Sequence, residues 1–497
     1  MDISAKYVAK SFLWSVTAKV LDAGIKFISL PILLIYFGKQ NFALITLATS
    51  INAYMNLLDM GVNTGAIKYF SEWISQGKLS LLDSVSRTSI TFYGVIGIIN
   101  ALLLLTLSWL GMDLFSITPP EVESLRNLFF ILAFFSIFNW SSSVFNQLLI
   151  ANESLDFIQK VNIFKSLLNL ALIYCTIQFE WSLLRYFMAL TLLNSLVLLP
   201  FYKKSKSQNL IQSFIPAFDW VNFSIVFKYS LSIIAMAIFQ VSANTLRPLI
   251  LGIFSGEGLG IVADYRIMET ITIFVISIGG IFTSILLPKT SRLMLENNFE
   301  KIENFAYKGT LFTSIICVIL CLPFILCSQE ILTIYVGDQY KHLGPWLIMW
   351  MLTILFFLHS TPINSIILAT GKTRILVYST AFSCIVSLTI NALLCNRYGA
   401  GSAVIGYLVY ITIQMSFYYF YFNNKVLGLN SFKVFKSFII PTALGLTSLG
   451  IILLLNISLN NLIFQAIIKS LLWFILFTAT LLLTKTIKLE DLKNYRN

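Results

Sequence analysis

The chain is 497 residues long, 57% hydrophobic and only 11% charged, with a mean hydropathy of +0.83. Soluble domains carry about 25% charged and about 45–50% apolar residues, so a water-soluble enzyme and a disordered chain are both excluded. The net charge of +12 is read as the basic rim of a multi-pass membrane protein, not as a nucleic-acid surface, because Lys and Arg collect in cytoplasmic loops.

Apolar runs of spanning length recur from end to end. Fourteen are expected, at about 11–37, 42–61, 89–110, 127–150, 161–179, 183–202, 229–253, 266–288, 310–328, 346–369, 375–395, 402–422, 438–457 and 461–484. None alternates with period two, so they are helices, and the fold class is an all-α polytopic membrane protein. With the N-terminus inside, twenty-four of the Lys and Arg residues fall in cytoplasmic segments. Only Lys39, Arg126, Arg185, Lys341 and Arg397 fall in outer ones. Both termini are therefore expected on the cytoplasmic side. The outer loops are short.

The longest polar stretch divides the chain. An N-terminal lobe of six helices is expected over 1–207, a cytoplasmic linker over 208–228 and a second six-helix lobe over 229–424. Residues 425–497 add helices 13 and 14 and a cytoplasmic tail. A faint repeat joins the halves. Pro31-Ile-Leu-Leu-Ile-Tyr-Phe37 is echoed by Pro248-Leu-Ile-Leu-Gly-Ile-Phe254, and Phe145-Asn-Gln-Leu-Leu-Ile-Ala151 by Ile363-Asn-Ser-Ile-Ile-Leu-Ala369. Repeated halves are common in transporters, and an even helix count per half implies a parallel, pseudo-two-fold repeat.

Deep polar residues concentrate in segments 1, 2, 7 and 8. Segment 1 carries Lys19, Asp22 and Lys26 on one helical face, with Ser15 four positions earlier. A central charge costs about 2.5–3.5 kcal/mol, so three would cost roughly 7–10 kcal/mol against lipid. That face is expected to meet a cavity or partners, with Asp22 pairing to Lys19 or Lys26. Segment 2 carries Asn52, Asn56, Asp59 and Asn63; segment 7 carries Gln240, Asn244 and Arg247, followed by Pro248; segment 8 begins with Arg266 and Glu269. Pro248 frees a carbonyl and favours a kink. Lys19, Asp22, Lys26, Asn52, Asn56, Asp59, Gln240, Asn244, Arg247 and Glu269 form the candidate binding set, and Asp22, Asp59 or Glu269 the candidate ion-coupling set. Arg266 belongs either to this cavity or to the outer mouth.

Other polar residues have blander readings. Lys469 in segment 14 stands alone and is expected to snorkel. His359, Thr361 and Asn364 in segment 10 either line the cavity or satisfy one another; Asn139, Ser142, Ser143 and Asn146 in segment 4 are equally open. The six cysteines form no CxxC pair and lie in or beside apolar runs, so they are packing residues. No metal and no cofactor are expected. Thr370-Gly371-Lys372-Thr373 is not a phosphate-binding loop, because Ile366 stands where its first glycine is required. No enzyme signature is present.

Several short motifs occur in an ordered series: Phe37-Gly38-x-x-Asn41-Phe42-Ala43-Leu44, Leu57-Leu58-Asp59-Met60-Gly61, Ile67-Lys68-Tyr69-Phe70, Leu287-Pro288-Lys289-Thr290-Ser291-Arg292, Tyr335-Val336-Gly337-Asp338-Gln339-Tyr340 and Leu368-Ala369-Thr370-Gly371-Lys372-Thr373. Over about residues 11–425 this series resembles the polysaccharide-biosynthesis membrane proteins, the Wzx-type flippases of O-antigen and other polysaccharide repeat units. Their superfamily also contains multidrug/toxic-compound exporters and lipid II flippases, and fourteen helices are similar to the latter. The resemblance implies a flippase carrying an undecaprenyl-pyrophosphate-linked oligosaccharide across the bacterial cytoplasmic (inner) membrane by alternating access. It implies as partners the lipid-linked oligosaccharide, the bilayer and polysaccharide polymerase or ligase machinery, with no nucleic acid. Energy would come from a sodium or proton gradient or from membrane potential. The alternatives are a multidrug cation exporter of the same fold or a membrane polysaccharide polymerase or ligase.

Overall fold

The computed structural model describes residues 5–486 except 56, 116, 257, 285–298 and 371–373. Side chains are described outside residues 5–12, 54–62, 64, 137–142, 229, 231–237, 240, 280–284, 368–370 and 374. The motif over 287–292, most of the turn over 370–373 and the C-terminal tail lie outside the described residues. Among the described residues there is no strand, and helices cover each of the expected apolar segments. Among the described residues, ten helical stretches are long and apolar enough to cross a membrane.

The helices are α1 (Ala5–Met55), α2 (Leu57–Ser75), α3 (Leu79–Leu110), α4 (Pro119–Ala151), α5 (Leu155–Gln178), α6 (Leu183–Leu196), α7 (Leu198–Ser207), α8 (Trp220–Thr245), α9 (Arg247–Phe254) and α10 (Gly260–Ser284). They continue as α11 (Phe299–Leu326), α12 (Ser328–Val336), α13 (Gly344–Leu358), α14 (Thr361–Thr370), α15 (Arg374–Tyr398), α16 (Ala400–Phe417), a π-helix (Tyr418–Val426), α17 (Ser431–Leu454) and α18 (Leu462–Leu483).

Local chemistry sets the breaks. Gly38 has φ 78° and ψ 163°, a region open essentially to glycine alone, and it separates the first two expected segments within α1. Pro31 lies inside α1 without interrupting it. Its sequence counterpart, Pro248, sits just after the break at Leu246 that separates α8 from α9. Pro362 likewise stands in the first turn of α14, after the break at His359 and Ser360, because proline has no N–H to donate to the carbonyl four residues earlier. The capping box of Thr118 and Glu121 starts α4, and Asp219 caps α8 by accepting the Asn222 N–H. That cap places the start of α8 nine residues before the apolar run expected at 229.

The chain forms two compact units. The first comprises residues 1–266 and 392–400. Within it α1 packs along α5, α2 along α8, and α3 along α4. Phe70, Tyr93, Phe145, Phe201 and Phe223 form much of its core, and Gln147 Nε2 donates to Tyr93 Oη there at 2.8 Å. The second unit comprises residues 267–391 and 401–497. Its α11 packs against α13, α14 and α17. Gly445 permits that last contact, since a Cβ there would lie 2.6 Å from Val318 Cγ1. A buried polar seam joins α15 to α16: Gln414 reaches Ser383, and Ser402 donates to Asn391 Oδ1.

Candidate functional site

The first unit holds a charged seam between α1 and α5. Eight residues of α1, about two turns, carry Lys19, Asp22 and Lys26 on one face. Lys26 Nζ lies 2.7 Å from Asp22 Oδ2, the i,i+4 pairing expected from spacing. From α5, Ser166 Oγ donates to the other oxygen, Asp22 Oδ1, at 3.3 Å. Lys165, beside it and half-buried, lies within electrostatic reach of both Asp22 and Lys26. Lys19 is exposed on the turn before Asp22. One ammonium group thus pairs with the carboxylate and a second lies within its electrostatic reach. Farther along α5, the buried Asn169 Oδ1 accepts no hydrogen bond. Toward its start, Lys160 sits over the Trp14 ring at 5.1 Å and pairs with Asp156 at 3.7 Å.

Lys165 and Ser166 were not among the residues expected at the site. Lys165 stands near the start of an apolar run, so its position alone reads as cytoplasmic rim. The signal lay in the spacing of Asn162, Ser166 and Asn169, four and three apart, which is a polar stripe on one helical face.

The remaining candidates occupy other places. Asn52 Oδ1 accepts from Asn100 Nδ2 at 3.4 Å. Asn56 lies outside the described residues, and so do the side chains of Asp59 and Gln240. Asn63 is half-buried, its Oδ1 without a hydrogen bond. Asn244 is exposed near the end of α8, and Arg247 is buried at the start of α9. Arg266 is the last residue of this run of the first unit, and Glu269, half-buried one turn later on α10, falls in the second. Lys39 and Asp264, both outside the expected spans, form an ion pair at 2.7 Å within the first unit.

Two expectations in the second unit are corrected. Lys469 does not snorkel alone: its Nζ lies 2.7 Å from Glu330 Oε1, and Gln465 Nε2 donates to the same oxygen at 2.9 Å. Glu330 lies on the short helix α12, where a chain reader sees only an interhelical loop. Burial pushes its pKa up, but the hydrogen bonds and charge of Lys469, with the bond from Gln465, outweigh this and hold it below the ordinary carboxylate value. Nor do His359, Thr361 and Asn364 satisfy one another. His359 Nε2 meets Tyr419 Oη at 2.6 Å, and Tyr418 Oη donates to Asn364 Oδ1 at 2.8 Å. Both tyrosines come from the π-helix. His359 is fully buried, with its ring stacked 4.0 Å from that of Phe438, and the space around it is too tight for a water molecule. It is a packed core residue. The six cysteines are free thiols, five of them buried.

No protein-family model matches the sequence and no curated protein does. Solved structures do. A lipid II flippase, MurJ, in an inward closed conformation superposes with a TM-score of 0.70 at 13% identity, covering 94% of this chain and 98% of its own. An inward-facing multidrug-resistance MATE transporter of the MOP superfamily gives 0.63 at 15% identity, covering 83% and 95%. A MOP superfamily transporter from Pyrococcus furiosus, described as having a binding pocket of reverse polarity, gives 0.54 at 15%, covering 81% and 93%. This chain is an all-helical membrane protein with the fold shared by MurJ and the MATE transporters.

Proposed function

We propose that the protein is a flippase for an anionic lipid-linked oligosaccharide, an undecaprenyl-pyrophosphate-linked repeat unit of a surface polysaccharide. It would work from the inner to the outer leaflet of the bacterial cytoplasmic membrane, with both termini cytoplasmic. The observation that carries this reading is the excess of positive charge on the α1/α5 seam, where Lys26 pairs with Asp22, Lys165 lies within electrostatic reach of both, and Lys19 is exposed one turn earlier on the same face. Cations held in a membrane segment are costly unless an anion meets them. A pyrophosphate supplies that anion, and its oxygens accept charge-assisted hydrogen bonds from ammonium groups. Asn52 and Asn244 offer amides for sugar hydroxyls, and Arg247 a further cation. Membrane potential favours the outward step by about 2.3 kcal/mol per charge per 100 mV. Two phosphate charges gain roughly 4–5 kcal/mol on that scale. A coupled sodium ion or proton on Asp22, Asp59 or Glu269 would add to it.

The fold equally accommodates a multidrug exporter, whose cationic cargo calls for a net acidic site. The test is export of repeat units in cells carrying Lys19→Ala, Lys26→Ala or Arg247→Ala. Each is expected to lower surface polysaccharide with expression intact. Normal polysaccharide in all three, or efflux of cationic dyes by the wild type, would sink the reading.

A further inference from the structure

The segment that joins α7 to α8, residues 208–219, is bound along α3 as a strap. The Gln212 N–H donates to Asp83 Oδ1 at 2.7 Å and Arg87 Nε to the Ile215 carbonyl at 2.7 Å. Thr91 Oγ1 donates to the Ala217 carbonyl. At its end the Asp219 N–H donates to Thr88 Oγ1 at 2.9 Å, and Ser84 Oγ to Asp219 Oδ2 at 2.9 Å. Five hydrogen bonds to residues spread over three turns of α3 leave this segment little freedom, and its own Leu210 and Ile211 are buried.

Its outer side is apolar. Ile215, Phe218 and Val221 are 66%, 78% and 79% exposed. Val221 and Ile225 continue the stripe up α8 at i,i+4, and Trp220 beside them is half exposed. The acidic groups at the strap are used internally: Asp219 accepts from Ser84 and Asn222, and Asp83 of α3 also faces Arg87 at 3.7 Å. The flanking helices carry exposed lysines, Lys203 and Lys206 at the end of α7 and Lys228 on α8. Exposed apolar side chains and a tryptophan, with exposed lysines on the two flanking helices, fit the interface of a bilayer, where rings and aliphatic tips enter the headgroup boundary and ammonium groups meet anionic headgroups. The strap continues directly from a stretch long and apolar enough to cross the membrane, Leu183–Ser207, so its exposed face stands at the membrane edge.

We propose that this strap is seated in the headgroup layer of the leaflet, with Ile215, Phe218 and Val221 inserted and Lys203, Lys206 and Lys228 bound to anionic lipid. Only the choice of the cytoplasmic leaflet rests on the orientation proposed above. The probe is a bimane label on Phe218→Cys in a variant whose six cysteines are replaced, reconstituted in vesicles of phosphatidylcholine and phosphatidylglycerol. Lipids doxyl-labelled near the headgroup are expected to quench it several-fold more than aqueous iodide. Stronger quenching by iodide would leave the face in water, as a protein-docking surface would be, and would overturn the proposal. In parallel, Lys203→Gln, Lys206→Gln and Lys228→Gln combined should at least halve the phosphatidylglycerol retained on the purified protein in native mass spectrometry; unchanged retention would overturn the headgroup assignment. Neither readout depends on the transported cargo, so a failed flippase reading leaves both intact.

Discussion

The pair of Glu330 and Lys469 makes a quantitative claim about how the last helix is held. The two side chains are 16% and 13% exposed and 2.7 Å apart, so solvent screens them little. Removing one partner of a buried pair costs about 3–5 kcal/mol in soluble proteins. Polar contacts between membrane helices are weaker, averaging about 0.6 and reaching about 1.7 kcal/mol. Glu330→Gln, however, leaves Lys469 as an ammonium inside an apolar helix, a cost nearer the roughly 2.5–3.5 kcal/mol of an intramembrane charge. We therefore expect Glu330→Gln and Lys469→Met each to destabilise by about 2–3 kcal/mol. The double variant should lose much less than the sum, with a coupling of about 2 kcal/mol. Equilibrium unfolding in detergent, read as a double-mutant cycle, measures this. Glu330 has a depressed pKa, so its contribution is complete above the ordinary glutamate value. It disappears as pH falls through the lowered one, and the gap between wild type and Glu330→Gln should close in acid. Single losses below about 0.5 kcal/mol with additive doubles would mean that Lys469 is solvated independently, and the docking argument would fail.

Three further outcomes are expected. Lys165→Ala should weaken binding of undecaprenyl pyrophosphate about as much as Lys26→Ala does, while Lys165→Arg retains it; equal binding by wild type and Lys165→Ala in nanodiscs would remove α5 from the site. Gly38→Ala should lower the melting temperature, since a side chain at φ 78° and ψ 163° costs about 1–3 kcal/mol. Gly38→Asn should not rescue it, because asparagine tolerates only the ordinary left-handed region. Asp219, whose pKa is lowered chiefly by its hydrogen bonds from Asn222, caps α8 more strongly when ionised. Asp219→Ala should cost about 1 kcal/mol near neutral pH. The gap should shrink as pH drops through the lowered carboxylate pKa, in thermal melts across pH 2–6 on the carboxylate scale.

The sequence by itself determined the membrane class, the positions of the helices and the face of α1 that bears Lys19, Asp22 and Lys26. Those properties are one-dimensional: spanning length follows from run length, and a helical face follows from spacing within one element. That Asp22 pairs with a lysine of its own face was legible for the same reason, while the choice of Lys26 over Lys19 was not. Which residues meet across elements was not legible. Lys165 and Lys469 look alike in the sequence, each a lysine in an apolar run. Only tertiary packing sets one beside Asp22 and Lys26 and the other against Glu330, 139 residues away in the chain. The strap was read as a plain polar linker because its composition is polar; the side chains of α3 that hold it, and the apolar tips it presents, acquire meaning only when the two segments lie side by side. Charge inside a membrane must find a partner, but the sequence names the charge while the fold chooses the partner.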